Sequence, residues 1–179
     1  ELMLSVNVSP VQLKSPTLCS EVSGALRAAG LDTHRLELEL TESGLIEDTD
    51  TSHQLLRNLG AIGVRLAIDD FGTGFSSLTH LRQLPVNLIK IDQSFVRDML
   101  IDQDDMAIVE SVIYMANRFQ RPMLAEGVET LDHARALISM GCELAQGYGI
   151  ARPMPPEAMA EWLSHWPTRQ DWRGLATLQ

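Results

Sequence analysis

Six short apolar runs alternate along this chain with longer segments whose apolar residues recur at helical spacing. The runs lie at 3–9 (MLSVNVS), 36–42 (LELELTE), 64–70 (VRLAIDD), 87–92 (NLIKID), 122–127 (PMLAEG) and 143–149 (ELAQGYG). Runs of this length punctuated by glycines read as strands, and the segments between them read as helices. The first helix is expected to open with Ser15 as N-cap and Pro16 at its first position, and to stop at Gly30. Further helices are expected from Asp50 or Thr51 to Gly60, over about 76–84, over 103–119, from Thr130 to Gly141, and from Pro156 onward. Strict strand–helix alternation predicts an α/β fold with a parallel sheet and helical crossovers. With 179 residues the chain falls below the roughly 200 at which closed eight-fold β/α barrels begin.

Charge and composition remove several function classes. Lys and Arg total 14 against 24 Asp and Glu, a net charge of −10, which excludes a sequence-independent binder of a nucleic-acid polymer. No apolar window approaches the roughly 18 residues of a membrane span, so no membrane segment is expected in this chain. Two cysteines without partners at metal-ligand spacing fit a reduced, cytoplasmic setting. The first residue is Glu rather than Met, which suggests a piece of something longer, and 166–179 reads as a C-terminal tail behind a domain spanning 1–165.

Every strand delivers a polar group at its C-terminal end, where parallel β/α folds gather their chemistry. These are Asn7, Glu39 and Glu42, Asp69 and Asp70, Lys90 and Asp92, Glu126 and Glu129, and Gln146. Singly, each is ordinary loop polarity, but six strands agree. Carboxylates converging on one rim repel one another unless a cation intervenes. The donors are oxygens with no Cys or His cluster, so Mg²⁺ or Mn²⁺ fits and zinc does not. Adjacent aspartates face opposite ways along a strand, so Asp69 and Asp70 can share a site only where the strand breaks, and Gly72 and Gly74 are expected to place that break directly afterwards. Such a pair suits two metals about 3.5–4 Å apart.

Parity also places other side chains. Leu88, Lys90 and Asp92 share one face and Ile89 and Ile91 the other, so Lys90 is expected to point inward to the acidic rim, either for catalysis or as an ion pair. Asp92 is expected to cap the following turn. Glu37 lies one layer below Glu39, and Arg65 on the next strand has matching parity, so the two are expected to pair.

The motifs NVSPVQL (7–13), LELTES (38–43), AIDDFGTGFSSL (67–78), IKIDQSFV (89–96), AEGVET (125–130) and QGYGIARPMP (146–155) together resemble those of EAL domains, bacterial cyclic di-GMP phosphodiesterases of second-messenger signalling. The resemblance covers about residues 4–163 and departs at Ile150, where an aromatic residue is frequent. It implies a (β/α)8 TIM-type barrel, here an incomplete one of about six βα units. It implies a two-metal site with Mg²⁺ or Mn²⁺ held by Asn7, Glu39, Asp69 and Asp70. Lys90 and Glu126 would be catalytic, with Glu126 the general base, and Glu129 and Gln146 would lie at the substrate. Glu42 would anchor the DFGTGFSS loop.

The implied reaction is metal-dependent hydrolysis of cyclic di-GMP to linear pGpG. A homodimer, fusion to upstream sensory or GGDEF modules, and a cytoplasmic location, attached to a membrane only through other parts of a larger protein, are expected with it. No EAL tripeptide occurs in the chain, and its glutamate is a metal ligand in the family. The alternative reading is therefore a catalytically silent cyclic di-GMP receptor. An enolase-type magnesium barrel would also place carboxylates and a lysine at strand ends, but the DFGTGFSSL and AEGVET blocks weigh against it.

Overall fold

A computed structural model describes residues 2–42, 44, 49–74 and 84–166. Six strands, β1 (Leu4–Val8), β2 (Leu36–Thr41), β3 (Arg65–Phe71), β4 (Leu88–Ile91), β5 (Met123–Ala125) and β6 (Leu144–Ala145), form one sheet in sequence order. Every neighbouring pair is parallel. The α/β class and the parallel sheet are as the alternation predicted, and the six strands in sequence order fit the incomplete barrel that the resemblance implies. The sheet is open, with β1 at one edge and β6 at the other.

The helices are α1 (Pro10–Leu13), α2 (Leu18–Ala29), α3 (Thr49–Ile62), α4 (Gln93–Asp98), α5 (Gln103–Arg118), α6 (Leu131–Ser139) and α7 (Pro156–His165). Ser15 does not cap α2: its hydroxyl turns to Thr17, the N-cap residue, and the helix starts at Leu18. The capping signal lies earlier, where Ser9 and Gln12 exchange hydrogen bonds around Pro10 and close the single turn of α1. Gly30 ends α2 in the left-handed conformation, as expected. Asp92 caps α4 by accepting from the Ser94 N–H at 2.8 Å, again as expected. The short helix expected over 76–84 lies outside the described residues but for Leu84, and of the expected tail only Trp166 is described. No helix among the described residues is long and apolar enough to cross a membrane.

The core lies between the sheet's outer face and the helices. Leu40, Leu56, Leu59, Leu66, Ile89 and Ile91 are wholly buried there, and truncating any one of these to Ala would cost about 2–5 kcal/mol. The edges are less well covered. Leu4 and Val6 on β1 and Leu144 on β6 are about half exposed, and an apolar groove of about 250 Å³ runs between β1, β2 and α2. On the inner face Glu37 meets Arg65 at 3.4 Å, as parity required, and Ser5 lies against the same carboxylate. Arg65 remains substantially exposed, so this pair fixes orientation more than it stabilises.

The two thiols differ in setting. Cys142 is buried beneath the β5–β6 layer, its Sγ 3.5 Å from the Leu144 carbonyl, and burial pushes its pKa up to about 11. Cys19 is only partly covered. A thiol raised above its unfolded value favours the neutral form, so its contribution is full below about pH 9 and fades as pH rises toward 11. At pH 8 the folded chain is expected to release about one equivalent of chromophore from a disulfide reagent promptly, and a second only after denaturation. Prompt release of both would show that Cys142 is accessible.

Candidate active site

Lys90 is the hub of the strand-end rim. The outward packing of Ile89 and Ile91 turns it inward, and its ammonium lies 3.0 Å from Glu39 Oε2, 2.9 Å from Asp69 Oδ1 and 2.7 Å from Glu126 Oε1. Four strands, β2 to β5, thus contribute to one buried cluster. Burial pulls the Lys90 pKa down, but contacts with Glu126, Asp69 and Glu39 outweigh it and hold the ammonium above its ordinary range. Burial raises the Glu126 carboxyl. Contact with Lys90 opposes this, and the charges of Asp69 and Glu39 add to it, leaving Glu126 above the usual carboxylate range.

The adjacent aspartates share this site through a bulge in β3. Between Ile68, opposite Ile89, and Phe71, opposite Ile91, β3 takes three steps while β4 takes two. The extra residue is absorbed at Asp70, whose φ is +53°. The strand thus bulges at Asp70, a residue type that tolerates this conformation well, and then ends at Phe71 with the turn opening at Gly72 (φ +104°), as expected. Burial, a hydrogen bond with Asp92 and the charges of Asp69, Asp92 and Glu126 push the Asp70 pKa up to about 6. Asp92 moves down despite its burial, because the Ser94 hydroxyl and N–H donate to it, joined by Asp70 when that carboxyl is protonated.

This donor set fits hard divalent cations. Oxygens of Asp69, Asp70 and Glu126 lie within 4.8 Å of one another. Asp69 Oδ1 is fully buried and has the Lys90 ammonium, at 2.9 Å, as its polar neighbour among the described residues. Three carboxylates against one ammonium also leave the Lys90 cluster net negative.

The other expected site residues sit around this cluster. Asn7 is placed by register alone, opposite Glu39 on the exposed edge strand β1. Glu42 is buried away from Lys90 and accepts from the N–H groups of Gly72 (3.1 Å) and Gly74 (3.3 Å), tying down the turn after β3. A Cβ at Gly74 would stand 2.8 Å from its carboxylate, so a larger residue there would have to displace the Glu42 side chain. Glu129 and Gln146 are exposed on the rim, on two loops zipped together by main-chain bonds: Gln146 N–H to Ala125 O, and Val128 N–H to Gln146 O.

Two features escaped the reading of the sequence. The pairing of Asp92 with Asp70 joins residues 22 positions apart, and no local signal marks it. His133, which belongs to no cluster in the sequence, is buried and its Nδ1 accepts the Glu129 N–H at 3.5 Å. Its position three residues after the cap Thr130, where a capping box carries Glu or Gln, was the available clue.

Comparison with known proteins adds an independent line. A model of the EAL domain family matches residues 1–153. The cyclic di-GMP phosphodiesterase NbdA of Pseudomonas aeruginosa is 44% identical over 162 residues, which are 90% of this chain and 21% of that protein. This chain thus spans about a fifth of that relative's length. The structure of the PaMucR phosphodiesterase in complex with c-di-GMP superposes with a TM-score of 0.85 at 39% identity, covering 88% of this chain and 64% of that one. A manganese and c-di-GMP complex of Klebsiella pneumoniae BlrP1 gives a TM-score of 0.77 at 36% identity, covering 84% of this chain and 39% of that one.

Proposed function

The chain belongs to the EAL domain family, and from that premise we propose that it carries most of a centre that hydrolyses one phosphodiester bond of cyclic di-GMP, giving linear pGpG. The observation that carries this reading is the convergence of Glu39, Asp69 and Glu126 on Lys90, with Asp70 brought alongside by the bulge.

Glu126 is the general base. Its raised pKa lets it accept a proton from the attacking water, and Lys90, at 2.7 Å, orients its carboxylate. The Lys90 ammonium also places positive charge where charge grows on the phosphoryl group. Asn7, Glu39, Asp69 and Asp70 would hold Mg²⁺ or Mn²⁺, which when bound acidify the water and neutralise the phosphoryl oxygens. Glu129 and Gln146 contact the dinucleotide at the rim, and Glu42 anchors the turn after β3. Homodimerisation, fusion to sensory or GGDEF modules and a cytoplasmic location belong to the same proposal. The half-exposed apolar edges and the fraction of NbdA that this chain spans support the first two.

A second reading, a silent cyclic di-GMP receptor, draws on the absence of an EAL tripeptide from the sequence. The test incubates this chain, and the same chain extended at its N-terminus to include an EAL-bearing strand, with cyclic di-GMP and Mg²⁺ or Mn²⁺. Products are separated by chromatography. The extended chain is expected to form pGpG. Binding without product from it would favour the receptor, and neither binding nor product would defeat both readings.

A further inference from the structure

The carboxylate–lysine cluster accounts for the phosphodiester but offers nothing apolar to a purine base. We propose that Tyr148, braced by Arg152, is a stacking shelf for one base of the dinucleotide, an inference that rests on the function proposed above. Among the described residues the other exposed tyrosine, Tyr114, lies on α5, and Trp162 and Trp166 stack on each other at the C-terminal end of α7. Tyr148 is 56% exposed and follows β6 at the strand-end rim.

Its place is fixed by the backbone on either side. Gly149 donates to Val128 O at 3.0 Å, while Gln146 O accepts from Val128 N. A Cβ at Gly147 would stand 2.3 Å from the Val128 nitrogen, and one at Gly149 would stand 2.5 Å from the Glu129 oxygen. Tyr148 is thus held between two glycines that press against the loop carrying Glu126 and Glu129. The turn closes through Ile150 and Ala151 N–H bonds to Gly147 O, which brings Arg152 back over the tyrosine. Its guanidinium carbon lies 4.7 Å from the ring centroid. A braced aromatic face with an adjacent cation matches a planar base joined to an anionic phosphodiester.

The experiment measures KM and kcat for cyclic di-GMP in the N-terminally extended chain with Mn²⁺. Tyr148→Ala is expected to raise KM about tenfold or more with kcat within about twofold. Tyr148→Phe, which keeps the ring, should match wild type, and Arg152→Ala should raise KM about two- to fivefold. An unchanged KM in Tyr148→Ala, or a Tyr148→Phe variant as weak as the alanine, overturns the shelf and leaves the proposed function standing. A fall in kcat at constant KM also overturns it. If the wild-type extended chain neither binds nor hydrolyses the dinucleotide, the proposed function fails first and the shelf with it.

Discussion

Glu126→Gln is expected to lower turnover of cyclic di-GMP by about a hundredfold to ten-thousandfold while leaving nucleotide binding nearly intact, the range over which a positioned general base contributes. Gln keeps the volume of the side chain and an oxygen that can face Lys90, so packing is conserved, but it cannot take a proton at neutral pH. The position is suited to the task because burial and the charges of Asp69 and Glu39 hold the carboxyl above the usual range despite the Lys90 contact. The assay is chromatographic detection of pGpG in the N-terminally extended chain, paired with equilibrium binding of the dinucleotide. Turnover near wild type in the variant would remove Glu126 from the general-base role.

The second large effect concerns stability. Lys90→Met keeps the length of the apolar stem but leaves Glu39, Asp69 and Glu126 facing one another without a cation. Removing one partner of a buried ionic cluster costs about 3–5 kcal/mol, so urea unfolding in the presence of a chelator should show a clearly lowered midpoint with an unchanged slope. The Lys90 pKa is raised in the folded state, so its stabilisation is complete below the unfolded value and fades only as pH climbs through the folded one. The penalty is therefore expected to hold from neutral pH to about pH 9 and to shrink on acidification, as the carboxylates left without the ammonium take up protons. Millimolar Mn²⁺ should recover part of it, because cations that bind only the folded chain stabilise it by mass action. A variant as stable as wild type in chelator would mean that the carboxylates are relieved in some other way, and the hub assigned to Lys90 would fall.

Much of this arrangement was legible in the residues. The alternation of Leu36 to Glu39 fixed which side chains of β2 face the helices and which face the interior, because side chains on a strand alternate with a period of two. The same parity aimed Lys90 inward and matched Glu37 with Arg65, and the structure bears out both. The helix ends were legible where a glycine or a cap side chain acts on its own neighbours, as at Gly30 and Thr130. Ser15 does not cap α2 because the helix starts later, at Leu18 behind Thr17, whose side chain makes no capping bond, so no capping side chain marks that end in the sequence.

The site divides the same way. The sequence by itself determined the α/β class and the identity of the acidic rim, since each follows from periodicity or from a residue's position at the end of its own strand, whereas the order of the strands in the sheet is read from their pairing. The tertiary structure decided how those groups act on one another. It added a bulge at Asp70 ahead of the glycine turn, drew three carboxylates within about 3 Å of one ammonium, set Asp70 against Asp92, and pressed the Gly147–Gly149 turn onto the loop of Glu126. Each of these depends on register between strands distant in sequence and on burial from water, and neither quantity exists in the chain before it folds.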